Sequence, residues 1–168
     1  GGGAHADSAS YIACRRSADR GSTWSDDETL VENVGTMNTM SVSFLRLRSG
    51  AIALFYLVRT GDERTGLQTI DLHMRTSVDE GATWSEAVCC TSPTAFYVVN
   101  NDRVIQLASG RLVAPAARHA FFDGSHLAPA HSMCFLSDDE GATWRGSATV
   151  LPPPEGSHAG LQEPGVIE

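Results

Sequence analysis

The sequence predicts an all-β fold, and three observations support this prediction. Glycine is plentiful, with 16 among the 168 residues. Long stretches of helical periodicity are absent, and the apolar residues fall in short runs separated by turn residues. One turn motif also recurs three times at a constant spacing, which is typical of folds built by repeating one structural unit.

The recurring motif is Ser-x-Asp-x-Gly-x-Thr-Trp, named the Asp box below. It occupies residues 17–24, 77–84 and 137–144, so that the three copies are evenly spaced along the chain. A second motif, Leu-x-Ser-Gly, keeps the same spacing at 47–50 and 107–110. Two motifs in register over one period indicate a true internal repeat.

Each part of the Asp box has a physical role in a tight turn. The aspartate side chain accepts hydrogen bonds from backbone N–H groups of its own turn. Glycine supplies the positive φ that a tight hairpin needs, and tryptophan is large enough to wedge against a neighbouring sheet. The motif therefore predicts a turn between two strands, and the Ser-Gly pairs predict the tips of two further hairpins.

One repeat is interpreted as four antiparallel strands, which makes it a blade of a β-propeller. The Asp box joins the third and fourth strands of each blade. The strands of the two full blades are expected at 40–47, 51–59, 69–76 and 84–89, and at 103–107, 111–117, 131–136 and 147–151.

The blade boundaries divide the chain into about two and a half blades. Residues 1–35 are assigned to the end of one blade, 36–95 and 96–155 to two full blades, and 156–168 to the start of the next, with a strand beginning at 166–168. Propellers close on about 4 to 8 blades, so the sequence is expected to be a fragment of a longer ring. A ring completed by paired copies is the less favoured alternative.

Charge and composition disfavour several classes of partner. The chain carries 12 basic and 20 acidic residues, a formal net charge of −8, which disfavours nucleic acid and anionic membrane surfaces. No apolar run approaches the ~20 residues of a membrane-spanning helix. No CxxC or HExxH spacing indicates a metal site, so neither a metal nor a cofactor is expected. The sequence does not indicate a cellular compartment.

Strand alternation places the turns of each blade on two opposite faces. The Asp boxes share one face with the Ser-Gly tips, and their repetition in every blade indicates a structural role, because an active site is built once. Polar residues converge on the opposite face, near the start of the inner strands. The candidate site residues there are Asp7, Met40, Arg59, Asn101, Asp102, Arg103, Arg118, His119 and Glu163.

These candidates suit the recognition of an acidic sugar. Arginine offers a planar fork that matches a carboxylate. Arg103 and Glu163 stand at the start of inner strands, which line the central channel of a propeller. For three of the other candidates a simpler interpretation also remains open. Arg59 and Arg118 would then be solvated loop charges, and His119 would be a surface histidine.

The Asp boxes and two further segments resemble the sialidase (neuraminidase) superfamily, in particular bacterial sialidase-like proteins with BNR repeats. The two segments are NDRVIQLASGRL at 101–112 and GLQEPGVIE at 160–168. The resemblance covers essentially the whole chain and implies a six-bladed propeller. It also implies an exo-sialidase that removes terminal sialic acid, or a related acidic sugar, from glycoconjugates. A secreted or periplasmic location agrees with it.

The same resemblance implies roles for individual residues. The family is retaining and uses a tyrosine nucleophile, outside the usual two-carboxylate scheme. Glu163, in the pattern E-x-x-V-I-E, resembles the glutamate that polarises this tyrosine, and Asp7 resembles the acid/base aspartate of an early loop. The tyrosine and the three arginines that clamp the sugar carboxylate would lie outside residues 1–168, so the fragment alone is expected to be inactive. Arg103 departs from the family, which often has Gly-Pro-Gly here.

Two other functions remain open at this point. One is a non-catalytic propeller that binds glycans or partner proteins. The other is a different carbohydrate-active enzyme on the same scaffold. The residues support a sialylated or other acidic glycan as the leading ligand class.

Overall fold

The computed structural model describes residues 9–62, 64–120 and 127–168, and every regular element within these ranges is a β-strand. The predicted all-β class is therefore confirmed. In chain order the strands are β1 (Ile12–Cys14), β2 (Glu28–Val31), β3 (Asn38–Arg46), β4 (Ile52–Gly61), β5 (Gln68–Ser77), β6 (Val88–Cys89), β7 (Phe96–Val98), β8 (Ile105–Gln106), β9 (Leu112–His119), β10 (His131–Ser137) and β11 (Arg145–Gly146).

The strands form three units that follow the sequence repeat. The first unit is the pair β1–β2, and the second is the meander β3-β4-β5-β6. In the third unit β7 and β8 both pair with one edge of β9, β10 pairs with the other edge, and β11 lies outside β10. Pairing within each unit is antiparallel, whereas Ile70 and Phe96 form a parallel bridge between β5 and β7. The larger sheet is therefore mixed.

Several strands differ from the predicted ones. Of the inner strand of the third unit, expected at 103–107, only β8 (Ile105–Gln106) is formed, and a separate strand, β7, precedes it. Asp102, in the connection between them, adopts a left-handed conformation with φ of 57°. The outer strands β6 and β11 have only two residues each. The expected strand at 166–168 is not formed, since its backbone has no partner strand among the described residues. The Glu168 carboxylate instead accepts the N–H of Ala108 at 2.8–3.0 Å.

The three Asp boxes form the same turn. In the second copy the Asp79 carboxylate accepts hydrogen bonds from the backbone N–H and the hydroxyl of Thr83, at 2.8 and 2.6 Å. The Ser77 hydroxyl accepts the N–H of Gly81 at 2.8 Å. Glu80 and Gly81 have φ of 57° and 82°, the two left-handed residues of a type I′ turn. The other copies repeat these bonds at 2.5–2.9 Å, which confirms the role predicted for the aspartate.

Strand β4 is buried on both faces and separates two hydrophobic clusters. Side chains on one face pack with the first unit, and those on the other face pack with the third. The first cluster contains Ile12, Val31, Leu54, Tyr56 and Val58. The second cluster includes Ala53, Phe55, Leu57, Leu72, Met74, Tyr97, Leu112, Ala114 and Phe135. Because a strand sends successive side chains to opposite faces, burial of both faces explains the continuous apolar run of β4.

Neighbouring units are joined at one recurring position, near the start of β1, β5 and β10. Ser10, Ile70 and Ala130 lie there, with the same spacing along the chain as the Asp boxes. Backbone hydrogen bonds of 2.9–3.1 Å join each of these residues to the following unit, either to its first strand or to the segment just before it. The structure thus repeats with the period of the sequence.

The turns lie at two opposite ends of the sheet. Arg46, at the end of β3, pairs with Glu80 of an Asp box at 2.6 Å, so that the Ser-Gly tips and the Asp boxes share one end, called the Asp-box end below. At the other end Asn38, which starts β3, lies opposite Arg59 near the end of β4. This second end is called the pocket end.

Candidate functional site

A pocket of about 390 Å³ lies at the pocket end, between the second and third units. The first residues of β3 form one side, and the connection from β7 to β8 forms the other. Apolar side chains of β4 and β5 supply part of the wall. The lining residues are Met40, Ser41, Leu57, Ile70, Val98, Val99, Asn100, Asn101, Arg103 and Glu163. The structure therefore brings four of the predicted site residues together: Met40, Asn101, Arg103 and Glu163.

Three residues around the pocket share an unusual backbone conformation and recur at a regular spacing along the chain. Ser41, Asp102 and Glu163 have φ of 57°, 57° and 53°, and these three positions are evenly spaced along the chain. A left-handed conformation is uncommon for residues other than glycine, and such strain clusters at binding and catalytic sites. At Ser41 it coincides with a register shift between Met40 and Ser43 in the β3–β4 pairing. The same kink thus recurs in the three segments around the pocket.

Two opposite charges line the pocket without neutralising each other. Arg103 and Glu163 are both exposed, and neither forms an ion pair with any described residue. The guanidinium of Arg103 lies against the backbone of Gly165, where an added methyl group would be 3.1 Å from Nη1. Both charged groups are therefore available to a ligand.

Asn100 adds an acceptor to the same pocket. Its Oδ1 atom is buried and has no hydrogen-bond partner among the described residues. A buried acceptor without a partner costs free energy, about 1–3 kcal/mol. Asn101 follows at the pocket rim and is exposed.

Two other predicted residues are buried inside the sheet. Arg59 is 8% exposed in β4, and its Nε donates to the Gln68 side chain at 3.0 Å. His119 is 0% exposed, with Nδ1 at 2.6 Å from the carbonyl oxygen of Ala128 and its ring edge-on to Phe96. The interpretations of Arg59 as a solvated loop charge and of His119 as a surface histidine are therefore wrong. Neither residue lines the pocket.

The three remaining predicted residues lie elsewhere. Arg118 is exposed in β9, opposite Tyr97 and His131 of the flanking strands. Asp102 is exposed in the connection between β7 and β8 and does not line the pocket. Asp7 lies outside the described residues.

The Asp-box end has the opposite electrostatic character. Five arginines form ion pairs there at 2.5–3.1 Å; these are Arg15, Arg16, Arg46, Arg111 and Arg145. Hydrogen bonds within the turns hold the pKa of Asp19 and of Asp79 at about 2, below the usual 3.8, chiefly through Thr23 and Thr83. Five arginines and the Asp-box carboxylates at this end are thus already bonded within the protein.

Sequence reasoning missed the apolar part of the pocket wall and the role of Gly165. Leu57 and Ile70 belong to ordinary apolar runs, and nothing in those runs distinguishes a pocket wall from the core. Gly165 is recognisable only from its contact with Arg103. Asp71, on β5, was also not singled out: it accepts the Thr91 hydroxyl at 2.7 Å, and burial raises its pKa.

Comparison with known proteins agrees with the repeat. The family model described as a BNR repeat-like domain matches residues 2–151. The chain belongs to the BNR repeat-like family. Sialidase-4 of Mus musculus is 32% identical to this BNR-repeat protein over an alignment of 138 residues, and the alignment covers 70% of this chain and 28% of the mouse protein. Family and relative together make it a sialidase-like BNR-repeat protein, as the sequence predicted.

Solved structures share the fold of this BNR-repeat protein, and one of them is described here. It is the crystal structure of a protein of unknown function from Dyadobacter fermentans DSM 18053, with a TM-score of 0.62 and 19% identity over 84% of this chain. At that identity the likeness shows the fold alone. The chain spans 43% of that structure and less than a third of the mouse relative.

Two kinds of feature are absent from the described residues. Within residues 9–62, 64–120 and 127–168 of this BNR-repeat protein, no helix is long and apolar enough to cross a membrane. In the same part of the chain, no three His, Cys, Asp or Glu side chains come together as a group that could hold a metal ion.

Proposed function

We propose that this BNR-repeat protein is a sialidase-type glycoside hydrolase that removes a terminal sialic acid, or a related acidic sugar, from glycoconjugates. The supporting observation is the pocket in which Arg103 and Glu163 are both exposed and unpaired among the described residues. A cationic and an anionic side chain in one pocket match a ligand that carries both a carboxylate and hydroxyl groups. The likeness to Sialidase-4 of Mus musculus supports the reaction type.

The proposal includes the architecture of the whole protein. Units of four antiparallel strands that repeat with the spacing of the Asp boxes would close into a six-bladed propeller, with residues 36–95 and 96–155 as two of its blades, 1–35 as the end of one and 156–168 as the start of another. The pocket between two units would then open on the central channel. The catalytic tyrosine and the arginine clamp would come from the rest of the polypeptide.

The proposed reaction has two stages. A tyrosine hydroxyl gives its proton to Glu163 as its oxygen attacks the anomeric carbon, while Asp7 donates a proton to the leaving glycosidic oxygen. Water then attacks the same carbon and gives one proton to Asp7, and the departing tyrosine oxygen takes its proton back from Glu163. Two displacements retain the anomeric configuration, and neither stage calls for a metal or another cofactor.

The other predicted residues would shape the site around the sugar. Met40 and Asn101 line the pocket and would contact the sugar ring. Asp102 is proposed to reach the substrate from the rim, and Arg118 from the edge of β9. Arg59 and His119 are buried, so their proposed contribution is to support the strands that end at the site.

Hydrolysis of a fluorogenic sialoside by the full-length protein tests this function. Replacing Glu163 with Gln, or Asp7 with Asn, should lower kcat/KM by about 100-fold or more, the usual contribution of acid–base groups. Glu155→Gln and Asp26→Asn are matched controls, because both side chains are exposed and outside the pocket. Unchanged hydrolysis in both site variants would reject the assignment, and an inverted product seen by NMR would reject the mechanism.

A non-catalytic glycan-binding propeller is the second candidate function. The departure that favours it is Asp102-Arg103, where the family often has Gly-Pro-Gly. Binding of sialosides with no hydrolysis of any sialoside by the full-length protein would select this function over the first. Hydrolysis of a different acidic glycoside would instead indicate another carbohydrate-active enzyme.

A further inference from the structure

We infer that Arg103 is a positioning residue, whose guanidinium lies against Gly165 and holds in place the segment that carries Glu163. The inference deepens the proposed function and rests on it for the role of Glu163 as a base. It is separate from any contact with the sugar, because Arg103 acts on the reaction through Glu163. The fit of Arg103 against Gly165, rather than its charge, carries the inference.

The segment concerned is 162–167, which includes Glu163. Among the described residues, no residue of this segment forms a hydrogen bond or an ion pair. Polar contacts hold it at its two ends. The N–H of Leu161 donates to the carbonyl oxygen of Ala130 at 2.9 Å, and the Glu168 carboxylate accepts a backbone N–H of the third unit. Glu163 has φ of 53°, a conformation that persists only where the surroundings enforce it.

Arg103 supplies a contact in the middle of this segment. A methyl group added at Gly165 would lie 3.1 Å from Nη1 of Arg103 and 3.9 Å from Cζ, so the guanidinium closely covers the backbone of Gly165. Arg103 also directly follows Asp102, which has φ of 57°. The residue after one kink thus supports the segment that contains the next kink, at Glu163.

The residue two positions after each kink allows a comparison between the units. These residues are Ser43, Val104 and Gly165. Ser43 and Val104 are buried, so a side chain at this point of the kink is accommodated by packing in two of the three cases. Gly165 has no positive φ, so its backbone conformation does not require glycine. The missing side chain therefore has a local use, which is to make room for the guanidinium of Arg103.

The position of Glu163 matters because, in the proposed reaction, its carboxylate takes the proton of the tyrosine hydroxyl. A general base must lie within about 3 Å of the oxygen whose proton it takes, and a misplacement of about 1 Å can lower the rate by about 100-fold. A segment with few hydrogen bonds moves readily over such distances. Loss of the support from Arg103 should therefore slow the chemical step, which kcat reports.

A double-mutant cycle on the kcat of the full-length protein tests the inference, with a fluorogenic sialoside as the substrate. Arg103→Ala should lower kcat by about 10- to 100-fold in the wild-type background. In the Glu163→Gln background it should change kcat by about 2-fold at most, because a residue that acts only through Glu163 then has no further effect. Gly165→Ala, which displaces the guanidinium, should behave as Arg103→Ala does. Arg20→Ala is the matched control, since Arg20 is exposed and lies at the Asp-box end.

Hydrogen exchange gives a second measurement, which does not depend on activity. The N–H groups of Leu161 and Ala108 are bonded at the two ends of the segment. Both should exchange several-fold faster in full-length Arg103→Ala than in the wild-type protein, because release of the middle of the segment loosens its ends. The exchange of the Asp-box amides should be the same in both proteins.

The outcomes separate this inference from the proposed function. If the wild-type protein hydrolyses no sialoside, the proposed function fails and hydrogen exchange alone decides whether Arg103 holds the segment. Equal exchange in wild type and Arg103→Ala would overturn the inference. An unchanged kcat in Arg103→Ala would also overturn it, as would an equal loss of kcat in the wild-type and Glu163→Gln backgrounds, which would indicate that Arg103 acts independently of Glu163.

Discussion

The two ends of the sheet are built from similar residue types but treat their charges in opposite ways. At the Asp-box end, the Asp-box aspartates are bonded within their turns and five arginines are ion-paired. At the pocket end, Arg103 and Glu163 share a pocket without pairing, and Asn100 keeps a buried acceptor unmatched among the described residues. The Asp-box turn recurs in all three units, whereas this pair of charges is found in one pocket of the described residues. The contrast teaches that the repeated turns serve stability here, whereas the pair of unpaired charges that does not repeat marks the candidate ligand site.

Acid should have the largest effect on the stability that the Asp-box end provides, because it acts on all three Asp boxes together. The pKa of Asp19 and of Asp79 is about 2 in the folded protein against an ordinary 3.8, and that of Asp139 is also lowered, first by the Thr143 hydroxyl. Between these values the unfolded chain binds more protons than the folded one. The contribution to stability is therefore complete above about pH 4 and is lost as the pH falls towards 2.

Thermal unfolding of the full-length protein between pH 5 and 2 at constant ionic strength measures this effect. Tm should fall steeply below about pH 4, and Asp79→Asn should make the fall shallower. A Tm independent of pH over this range would contradict the role given to the boxes.

Replacing one glycine at each end of the sheet with alanine should change the free energy of unfolding by different amounts, and the larger change should be of intermediate size among these predictions. Gly81 has φ of 82°, so Gly81→Ala should lower the free energy of unfolding by about 1–2 kcal/mol, the cost of a left-handed alanine. Gly165 has no positive φ, so Gly165→Ala should leave this free energy nearly unchanged. Denaturant titration measures the free energy of unfolding of both variants. Equal destabilisation by both substitutions would contradict the difference proposed between the two ends.

The tryptophans of two Asp boxes give the smallest predicted difference. Trp144 donates its Nε1–H to the carbonyl oxygen of Gly141 at 3.0 Å. The Nε1 of Trp84 is buried without a partner among the described residues, because Arg16 donates to the equivalent carbonyl of Gly81 at 2.7 Å. Trp144→Phe should therefore cost about 1 kcal/mol more than Trp84→Phe. Chemical denaturation of the two variants tests this, and a larger cost at Trp84 would contradict it.

The sequence predicted the local features of this fold well. The hydrogen bonds of the Asp box depend on residues four apart in the chain, so the motif alone was enough. The order of strands in the second unit followed from its apolar runs and turn residues. The family could also be recognised, because the same motifs carry it.

The features that escaped prediction depend on contacts between distant segments. The ring of His119 packs edge-on against Phe96 of another strand, and its Nδ1 lies 2.6 Å from the carbonyl oxygen of Ala128, in the connection from β9 to β10. The connection between β7 and β8, where Asp102 is left-handed, has no sequence pattern of its own. For the site, the sequence predicted that Arg103 and Glu163 lie on one face of the protein. It did not predict the pocket that contains them, because that pocket is formed only by the packing of two units.

The backbone bonds at Ser10, Ile70 and Ala130 have a consequence for the order in which the molecule assembles. Each connects groups that are less than one repeat apart along the chain. Loops of that length close quickly, and a new unit needs only the unit before it as a template. Assembly can therefore follow synthesis on the ribosome, with each unit docking as soon as it has emerged. The long-range pairing that slows many all-β proteins is avoided across this stretch of chain.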